Sequence, residues 1–141
     1  MKKILIAFDG SANALRAVRH AVAESASRPG LEIELLHVLD PVTFKSPAAA
    51  LPPHELSRLC PPQAERVLQA ARQVLDQAGI AYKIDCRVGD AAGEIAAQVR
   101  ESGCDGVIMG TRGLGPLASV MIGSVASRVV HLVEVPVTLV K

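Results

Sequence analysis

The chain has 141 residues, half of them hydrophobic, and its 15 lysine and arginine residues nearly balance its 14 aspartate and glutamate residues, leaving a net charge of +1. This length fits one domain with one hydrophobic core, spanning residues 1–141. Nucleic-acid binding is disfavoured, because the chain offers neither a strongly basic field nor more than three aromatic side chains, Phe8, Phe44 and Tyr82, to stack on bases.

The first apolar run, from Ile4 to Phe8, is interrupted by Asp9. It is too short for a signal peptide or a membrane span, so we expect a cytoplasmic protein without a membrane partner.

Apolar runs typical of buried strands alternate with segments of helical periodicity along the whole chain. The predicted strands are Lys3–Phe8, Glu32–Leu39, Ala81–Val88, Gly106–Met109 and Val135–Val140. The predicted helices begin near Ser11, Ala64, Asp90 and Pro116, and the last three end at Gly79, at Gly103 and at Leu132. Strict alternation of this kind predicts an α/β fold, a doubly wound five-stranded parallel sheet with helices on both faces.

The connection between the second strand and the second helix, residues 41–62, contains six of the nine prolines. Proline continues neither helix nor sheet, so we expect a long connection that leaves the sheet at its carboxyl edge and acts as a mobile lid.

The cysteines and histidines show no ligand spacing that would indicate a metal site. Cys60, Cys86 and Cys104 form no C-x-x-C pair, so we expect three ordinary thiols, neither a disulfide framework nor a zinc site. The histidines, for which we expect no chemistry, are His20, His37, His54 and His131.

A glycine motif follows the fourth predicted strand. Gly110 and Gly113, with Gly123 and Ser124 further on, form the pattern G-x2-G-x9-G-[ST]. Glycines let backbone N–H groups approach a phosphate, and a helix N-terminus adds donors and partial positive charge. Glycine inside a helix costs about 1 kcal/mol relative to alanine. The Gly123-Ser124 pair within the predicted fourth helix therefore favours a ligand site over a simple turn.

The segments ILIAFDGS, LLHVLD, VGD, GTRGLGPLASVMIGSVASRVV and VPVTLV resemble the universal stress protein family over nearly the whole chain. In that family the glycine motif distinguishes the ATP-binding branch. The resemblance thus implies a Rossmann-like, adenine-nucleotide alpha-hydrolase-like fold. It also implies an ATP-binding stress-response or energy-sensing protein, with Mg²⁺ or Mn²⁺ held mainly by the phosphates. Departures are Glu134, before the last strand, and the proline-rich connection.

Residue by residue, the resemblance implies that Asp9 contacts the adenosine end and that Val38 offers backbone groups to adenine. Gly113, Gly123 and Ser124 would hold phosphates, with Gly110 in the same motif. The positively charged Arg112, like Lys45, could screen phosphate charge or simply be solvated. Asp9 could likewise be only a turn residue ahead of Ser11.

We assign no catalytic residue, because the sequence contains no P-loop, no complete G-x-G-x-x-G and no nucleotidyl-transferase or pyrophosphatase loop. Two alternatives stay open: a slow ATPase in which Asp9 positions water or metal, and a nucleotide-free dimeric interaction module. The apolar last strand, Val135–Val140, would leave backbone groups unpaired at a sheet edge, so we expect a homodimer in which two copies of it lie antiparallel.

Overall fold

A computed structural model describes residues 2–42, 60–111 and 122–141. The strands are β1 (Lys3–Ala7), β2 (Glu32–Leu39), β3 (Tyr82–Val88), β4 (Gly106–Gly110) and β5 (Val137–Val140). The helices are α1 (Ala12–Ser27), α2 (Pro62–Gln77), α3 (Ala91–Ser102) and α4 (Ser124–Leu132). Within these ranges no helix has the length and apolar character needed to cross a bilayer. Most of the proline-rich connection, and with it the predicted lid, lies outside the described residues.

All five strands are parallel, in the order β3-β2-β1-β4-β5. The chain winds outward from β1 to β3, then crosses back to β4 on the other side of β1. This arrangement confirms the predicted doubly wound sheet. The strand order reverses between β1 and β4, and ligands of such sheets bind beyond the carboxyl ends of the strands at that point.

Each face of the sheet is covered by two helices. Ile4 and Ile6 of β1 join one core cluster with α1 and α2, whereas Leu5 points to the other cluster, with α3 and α4. This alternation follows from the two-residue period of a strand, and burial on both faces explains the nearly continuous apolar sequence of β1. The core therefore sits in two layers and leaves the carboxyl edge open for polar residues.

The ends of α3 agree with the sequence prediction. The Asp90 side chain accepts from the Gly93 backbone N–H at 3.0 Å and caps the helix. Gly103 ends the helix in the left-handed conformation, with φ of 66°, which glycine adopts without the steric cost of a Cβ. These caps fix the direction in which the chain enters α3 and leaves toward β4.

The fourth helix differs from the prediction. Within the described residues it begins at Ser124, with Gly123 as an extended N-cap at φ −64° and ψ 159°. Gly123 therefore does not lie inside a helix, and the helix-interior cost that favoured a ligand does not apply to it. Glycine is a favourable N-cap residue, because it leaves the first-turn N–H groups open to solvent. The predicted start at Pro116 lies outside the described residues.

The expectation of three free thiols is wrong. Cys60 and Cys86 form a disulfide across a Cα–Cα distance of 5.4 Å, and Cys104 is free and buried. The two bonded cysteines are 26 positions apart in sequence. Their proximity arises because Cys60 stands two residues before the start of α2 and Cys86 lies on β3, the strand to which α2 leads. Sequence spacing alone carries no signal of this pairing.

Candidate functional site

The carboxyl ends of β1 and β4 bring two of the predicted site residues, Asp9 and Gly110, to one edge of the sheet. Ile6 of β1 is the Cα partner of Ile108 of β4. Asp9 is three residues after Ile6, and Thr111 is three residues after Ile108. The two residues therefore lie side by side just beyond the ends of β1 and β4, at the switch point. This is the location that the sequence predicted for a ligand.

Asp9 shapes the turn between β1 and α1. Its Oδ1 accepts from the Ser11 backbone N–H at 2.9 Å, and the Ser11 hydroxyl in turn accepts from the Ala14 N–H at 3.1 Å. Between them Gly10 has a φ of 87°, which favours glycine. The turn function that was considered as the alternative for Asp9 is therefore present. Asp9 is exposed, so the turn does not bury it away from a ligand.

Gly110 lies beneath the first turn of α1. A Cβ built on it would stand 2.8 Å from the Asn13 Cβ and 2.9 Å from the Asn13 carbonyl carbon. Real Cβ atoms do not approach other carbon atoms so closely, so helix packing by itself requires glycine here. Gly110 forms the buried floor of the switch point, and its binding role stays a prediction.

Thr111 connects three elements at this edge. Its N–H donates to the Val140 carbonyl at 2.9 Å, and its carbonyl accepts from the Gly123 N–H at 2.6 Å. Its hydroxyl accepts from Nδ2 of Asn13 at 3.2 Å. Gly123 is thus held beside the end of β4, and its N–H already has a protein partner.

Ser124 begins α4 at the same place and is exposed. Gly123 has no side chain to cap this helix, so no N-cap side chain satisfies the first-turn N–H groups. An uncapped helix N-terminus carries about half a positive charge and is a favourable place for an anion. Arg112 and Gly113, together with Lys45, lie outside the described residues.

A cleft of about 330 Å³ opens beyond the ends of β2 and β3. Val38 is half-buried in its wall, in agreement with its predicted place at the ligand edge. The other described residues that line it are Asp40, Pro41, Gly89, Asp90 and Ala91. Its volume is near the lower end of the range, about 300–1,000 Å³, that small-molecule sites occupy.

Arg128 adds a positive charge beside the cleft. The sequence did not predict this residue as part of the site. Its guanidinium donates to both carboxylate oxygens of Asp90 at 2.8 Å. This contact, with the Gly93 N–H, holds the pKa of Asp90 below its usual range. Arg128 stands one helical turn after Ser124, which is a spacing readable from sequence. Its partner could be identified only from the packing of α3 against α4.

The histidines in the described ranges make contacts within the fold. His37 is buried, and its Nδ1–H donates to the Phe8 carbonyl at 2.8 Å, which joins β2 to the end of β1. The His131 Nδ1 pairs with the Ser127 carbonyl at 2.8 Å within α4, and His20 lies 3.5 Å from Glu24. His54 lies outside the described residues. In the described ranges no cluster of three or more histidine, cysteine or acidic residues could hold a metal ion.

A buried acidic network lies under α3, away from the cleft. Glu34 of β2 is 4% exposed and accepts from Gln98 and from the Ser102 hydroxyl, the latter at 2.9 Å. Gln98 Nε2 also donates to Asp85 of β3 at 2.9 Å. Burial and the hydrogen bond with Glu34 raise the pKa of Asp85 to about 6.

The two carboxyl groups of this network divide their roles. Burial opposes ionisation of Glu34, but hydrogen bonds from Asp85, Ser102 and Gln98 outweigh it and lower the pKa of Glu34. Below about pH 6, the pKa of Asp85, Asp85 therefore holds the proton between the two groups and Glu34 keeps the negative charge.

Comparison with known proteins identifies the family. The model of the universal stress protein family matches residues 1–141. Universal stress protein Sll1654 of Synechocystis is 34% identical over 140 residues, which cover 99% of this chain and 85% of that relative.

Solved structures agree with the fold. The structure of MJ0577 superposes with a TM-score of 0.80 at 30% identity, covering 99% of this chain and 95% of that one. The universal stress protein of Archaeoglobus fulgidus, solved in complex with dAMP, gives a TM-score of 0.72 at 20% identity, covering 100% and 98%. The matched family model spans every residue from 1 to 141, and the chain belongs to the universal stress protein family.

Proposed function

We propose that this chain binds ATP at the carboxyl edge of its sheet and acts as a small cytoplasmic stress-response or energy-sensing protein. The observation that carries the proposal is the contact between Thr111 and Gly123. It brings the uncapped N-terminus of α4 to the switch point between β1 and β4, beside the exposed Asp9. The family relationship and the dAMP complex of the Archaeoglobus fulgidus protein support a nucleotide as ligand.

The phosphates bind at the start of α4. First-turn N–H groups and the Ser124 hydroxyl supply donors, and the absence of a side chain at Gly123 leaves room for phosphate oxygens. Because the Gly123 N–H donates to Thr111, Gly123 contributes space rather than a donor. Gly113 and Arg112 complete this proposed set by the motif.

The adenosine end binds toward the cleft. Val38 offers backbone groups to adenine from the cleft wall, and the Asp9 carboxylate accepts from a ribose hydroxyl. Asp9 can do this with Oδ2, because its Oδ1 accepts from Ser11.

Mg²⁺ or Mn²⁺ accompanies ATP through the phosphates. The described residues include no cluster of ligands for a metal ion, so the phosphates supply most of its coordination. When bound, the ion neutralises phosphate charge, and the α4 N-terminus and Arg112 share that task.

Native mass spectrometry of freshly purified protein, before and after denaturation, tests the proposal first: a released mass of ATP is expected. Calorimetric titration with Mg-ATP then compares Ser124→Ala with Ser127→Ala, which removes an exposed hydroxyl one turn later on the same helix. Weaker binding is expected for Ser124→Ala alone. Equal affinities for both variants and the parent would remove Ser124 from the site.

Asp9 is tested with two variants. Asp9→Asn keeps an oxygen for the Ser11 N–H, whereas Asp9→Ala removes it. If Asp9 binds ligand, both variants lose affinity while Asp9→Asn keeps parental stability. If Asp9 is only a turn residue, Asp9→Asn binds like the parent.

The two alternative functions make different predictions. A slow ATPase would show steady turnover that Asp9→Ala abolishes. A nucleotide-free interaction module would release no nucleotide and would show no ATP-dependent stabilisation.

We also propose a homodimer through residues 135–140. β5 pairs only with β4 in the described sheet and is its edge strand. Val130 and Leu132, each 46% exposed, add apolar surface on the neighbouring helix. A second copy, with its β5 antiparallel, would pair the open backbone edge and cover this surface.

A further inference from the structure

Other contacts already hold together the two chain segments that the Cys60–Cys86 disulfide joins. Four side chains of α2, all 0% exposed, anchor that helix in the core: Ala64, Leu68, Ala71 and Leu75. β3 is paired with β2 from Tyr82 to Val88. The two cysteines therefore stay neighbours when the bond is reduced, and a preorganised dithiol re-forms its bond readily.

The two cysteine residues differ in their exposure to solvent. Cys86 is 1% exposed, inside the core between the sheet and α2. Cys60 is half-buried, in the residue pair that leads into α2. Of the two reduced cysteines, Cys60 is therefore the one that a small disulfide from solution meets first, because Cys86 is buried.

Cys104 takes no part in this chemistry. It belongs to the core cluster on the opposite face of the sheet from Cys86. Burial and the nearby Glu34 raise the pKa of its thiol to about 12, so it carries no thiolate at neutral pH. The third thiol thus serves as an internal control.

We propose that Cys60 and Cys86 form a reversible redox site whose oxidant is a small disulfide of the glutathione type. The Cys60 thiolate attacks one sulfur of the small disulfide, which breaks its S–S bond, forms a mixed disulfide and releases one thiolate. Cys86 loses its proton and attacks the Cys60 sulfur, which forms the internal bond and releases the second thiolate. The protein loses two electrons and two protons, and the small disulfide becomes two thiols.

The site lies next to the proposed nucleotide site. Cys86 is three residues before Gly89, which lines the cleft, and β3 is an edge strand with β2 as its only described partner. The bond to Cys60 holds β3 from the side of α2. Reduction removes this covalent restraint while the packing of α2 and the pairing of β3 with β2 remain, and we expect the looser β3 end to weaken nucleotide binding, a consequence that rests on the proposed function.

Titration with glutathione tests the redox site. Native protein is equilibrated with mixtures from fully reduced to fully oxidised glutathione, quenched in acid, alkylated after denaturation and weighed by mass spectrometry. The number of alkylated thiols should fall from three to one, since Cys104 is free. Cys104→Ser should show the same midpoint. A bond that persists in fully reduced glutathione, or never forms, overturns the proposal.

Single variants test the roles of the two sulfurs. Cys86→Ser or Cys86→Ala should accumulate a glutathione adduct on Cys60, because no second sulfur displaces it. Cys60→Ser should leave Cys86 unmodified, because Cys86 is buried. An adduct on Cys86, or none on Cys60, contradicts the order of attack. The glutathione titration of the Cys104→Ser protein tests the redox site even if the variants at Cys60 and Cys86 fail to fold.

The link to the cleft is tested on oxidised and reduced Cys104→Ser protein by calorimetric titration with Mg-ATP. The reduced form should bind at least about fivefold more weakly. The double variant Cys60→Ser with Cys86→Ser should bind identically under both conditions. Equal affinities in the oxidised and reduced protein overturn the link alone. Absence of binding in both forms contradicts the proposed function, while the glutathione titration still decides the redox site.

Discussion

The Gly123 backbone N–H donates to the Thr111 carbonyl at 2.6 Å. This bond places the start of α4 at the end of β4. Gly123 has extended backbone angles, φ −64° and ψ 159°, that valine also adopts. A substitution at this position can therefore test ligand space without breaking the backbone.

Replacing Gly123 or Gly113 with valine should abolish ATP binding, because a branched side chain occupies space that the phosphates need. At 100 times its dissociation constant, a ligand of the native state stabilises it by about 2.7 kcal/mol, which raises the melting temperature by several degrees. Thermal unfolding of each variant with and without ATP measures this increase. A Gly123→Val protein with the full increase would refute the phosphate site.

Replacing Gly110 with alanine should destabilise the fold whether or not ATP is present. The added Cβ would lie 2.8 Å from the Asn13 Cβ, and overpacking of this kind costs about 1–3 kcal/mol. Chemical denaturation measures the loss. Gly30→Ala is the control for backbone strain alone, because its Cβ would meet nothing within 4 Å at φ of 84°. Parental stability of Gly110→Ala would contradict the close packing of α1 on β4.

Reducing the Cys60–Cys86 bond should lower the free energy of unfolding without unfolding the protein at 25 °C. The bond closes a loop with a sequence separation of 26, for which the chain-entropy model gives about 3–4 kcal/mol. Guanidinium denaturation of Cys104→Ser protein, oxidised and reduced, gives the difference. No difference between the two forms would mean that the bond constrains the unfolded chain little.

Stability should fall as the pH rises from about 4.5 to about 6.5. The pKa of Asp85 is raised to about 6 by burial and by Glu34, so the folded state binds its proton more tightly than the unfolded state does. This contribution is complete below the unfolded pKa, near 4, and is lost as the pH passes the folded pKa. Urea denaturation at several pH values between about 4.5 and about 6.5 measures this loss of stability.

Asp85→Asn should remove this decline and raise stability at neutral pH. The amide donates to Glu34 and accepts from Gln98 as the protonated acid does. Asp105→Asn is the control. Hydrogen bonds from the Lys2 and Lys3 N–H groups lower the pKa of Asp105, so its contribution changes only at lower pH. If the stability of Asp85→Asn declines with rising pH as that of the parent protein does, groups other than Asp85 cause the decline.

The protein should be a dimer in solution, and Leu139→Lys should make it monomeric. Leu139 lies on the edge strand β5, and a charge there opposes strand pairing. Light scattering at tens of micromolar measures the mass of both proteins. Lys141→Ala, at the exposed end of the chain, is the control. A monomeric parent protein would reject the proposed interface.

Local patterns in the sequence determined the sheet, its helices and most of their ends. The continuous apolar run of Ile4, Leu5 and Ile6 predicts a strand buried on both faces, and Asp90 and Gly103 predict the limits of α3. Such signals act between residues that are neighbours in the chain. Parallel strands then bring Asp9 and Gly110 to the same edge of the sheet, so the location of the candidate site was also predictable.

Tertiary packing decided the contacts between residues far apart in the chain. The Cys60–Cys86 bond depends on α2 lying against β3, and the pairing of Asp90 with Arg128 depends on α3 lying against α4. Position 110 requires glycine because α1 packs against it, and Gly123 is the N-cap of α4 rather than a residue inside that helix. None of these follows from residue spacing, because each depends on the distance and orientation at which two separately formed elements pack.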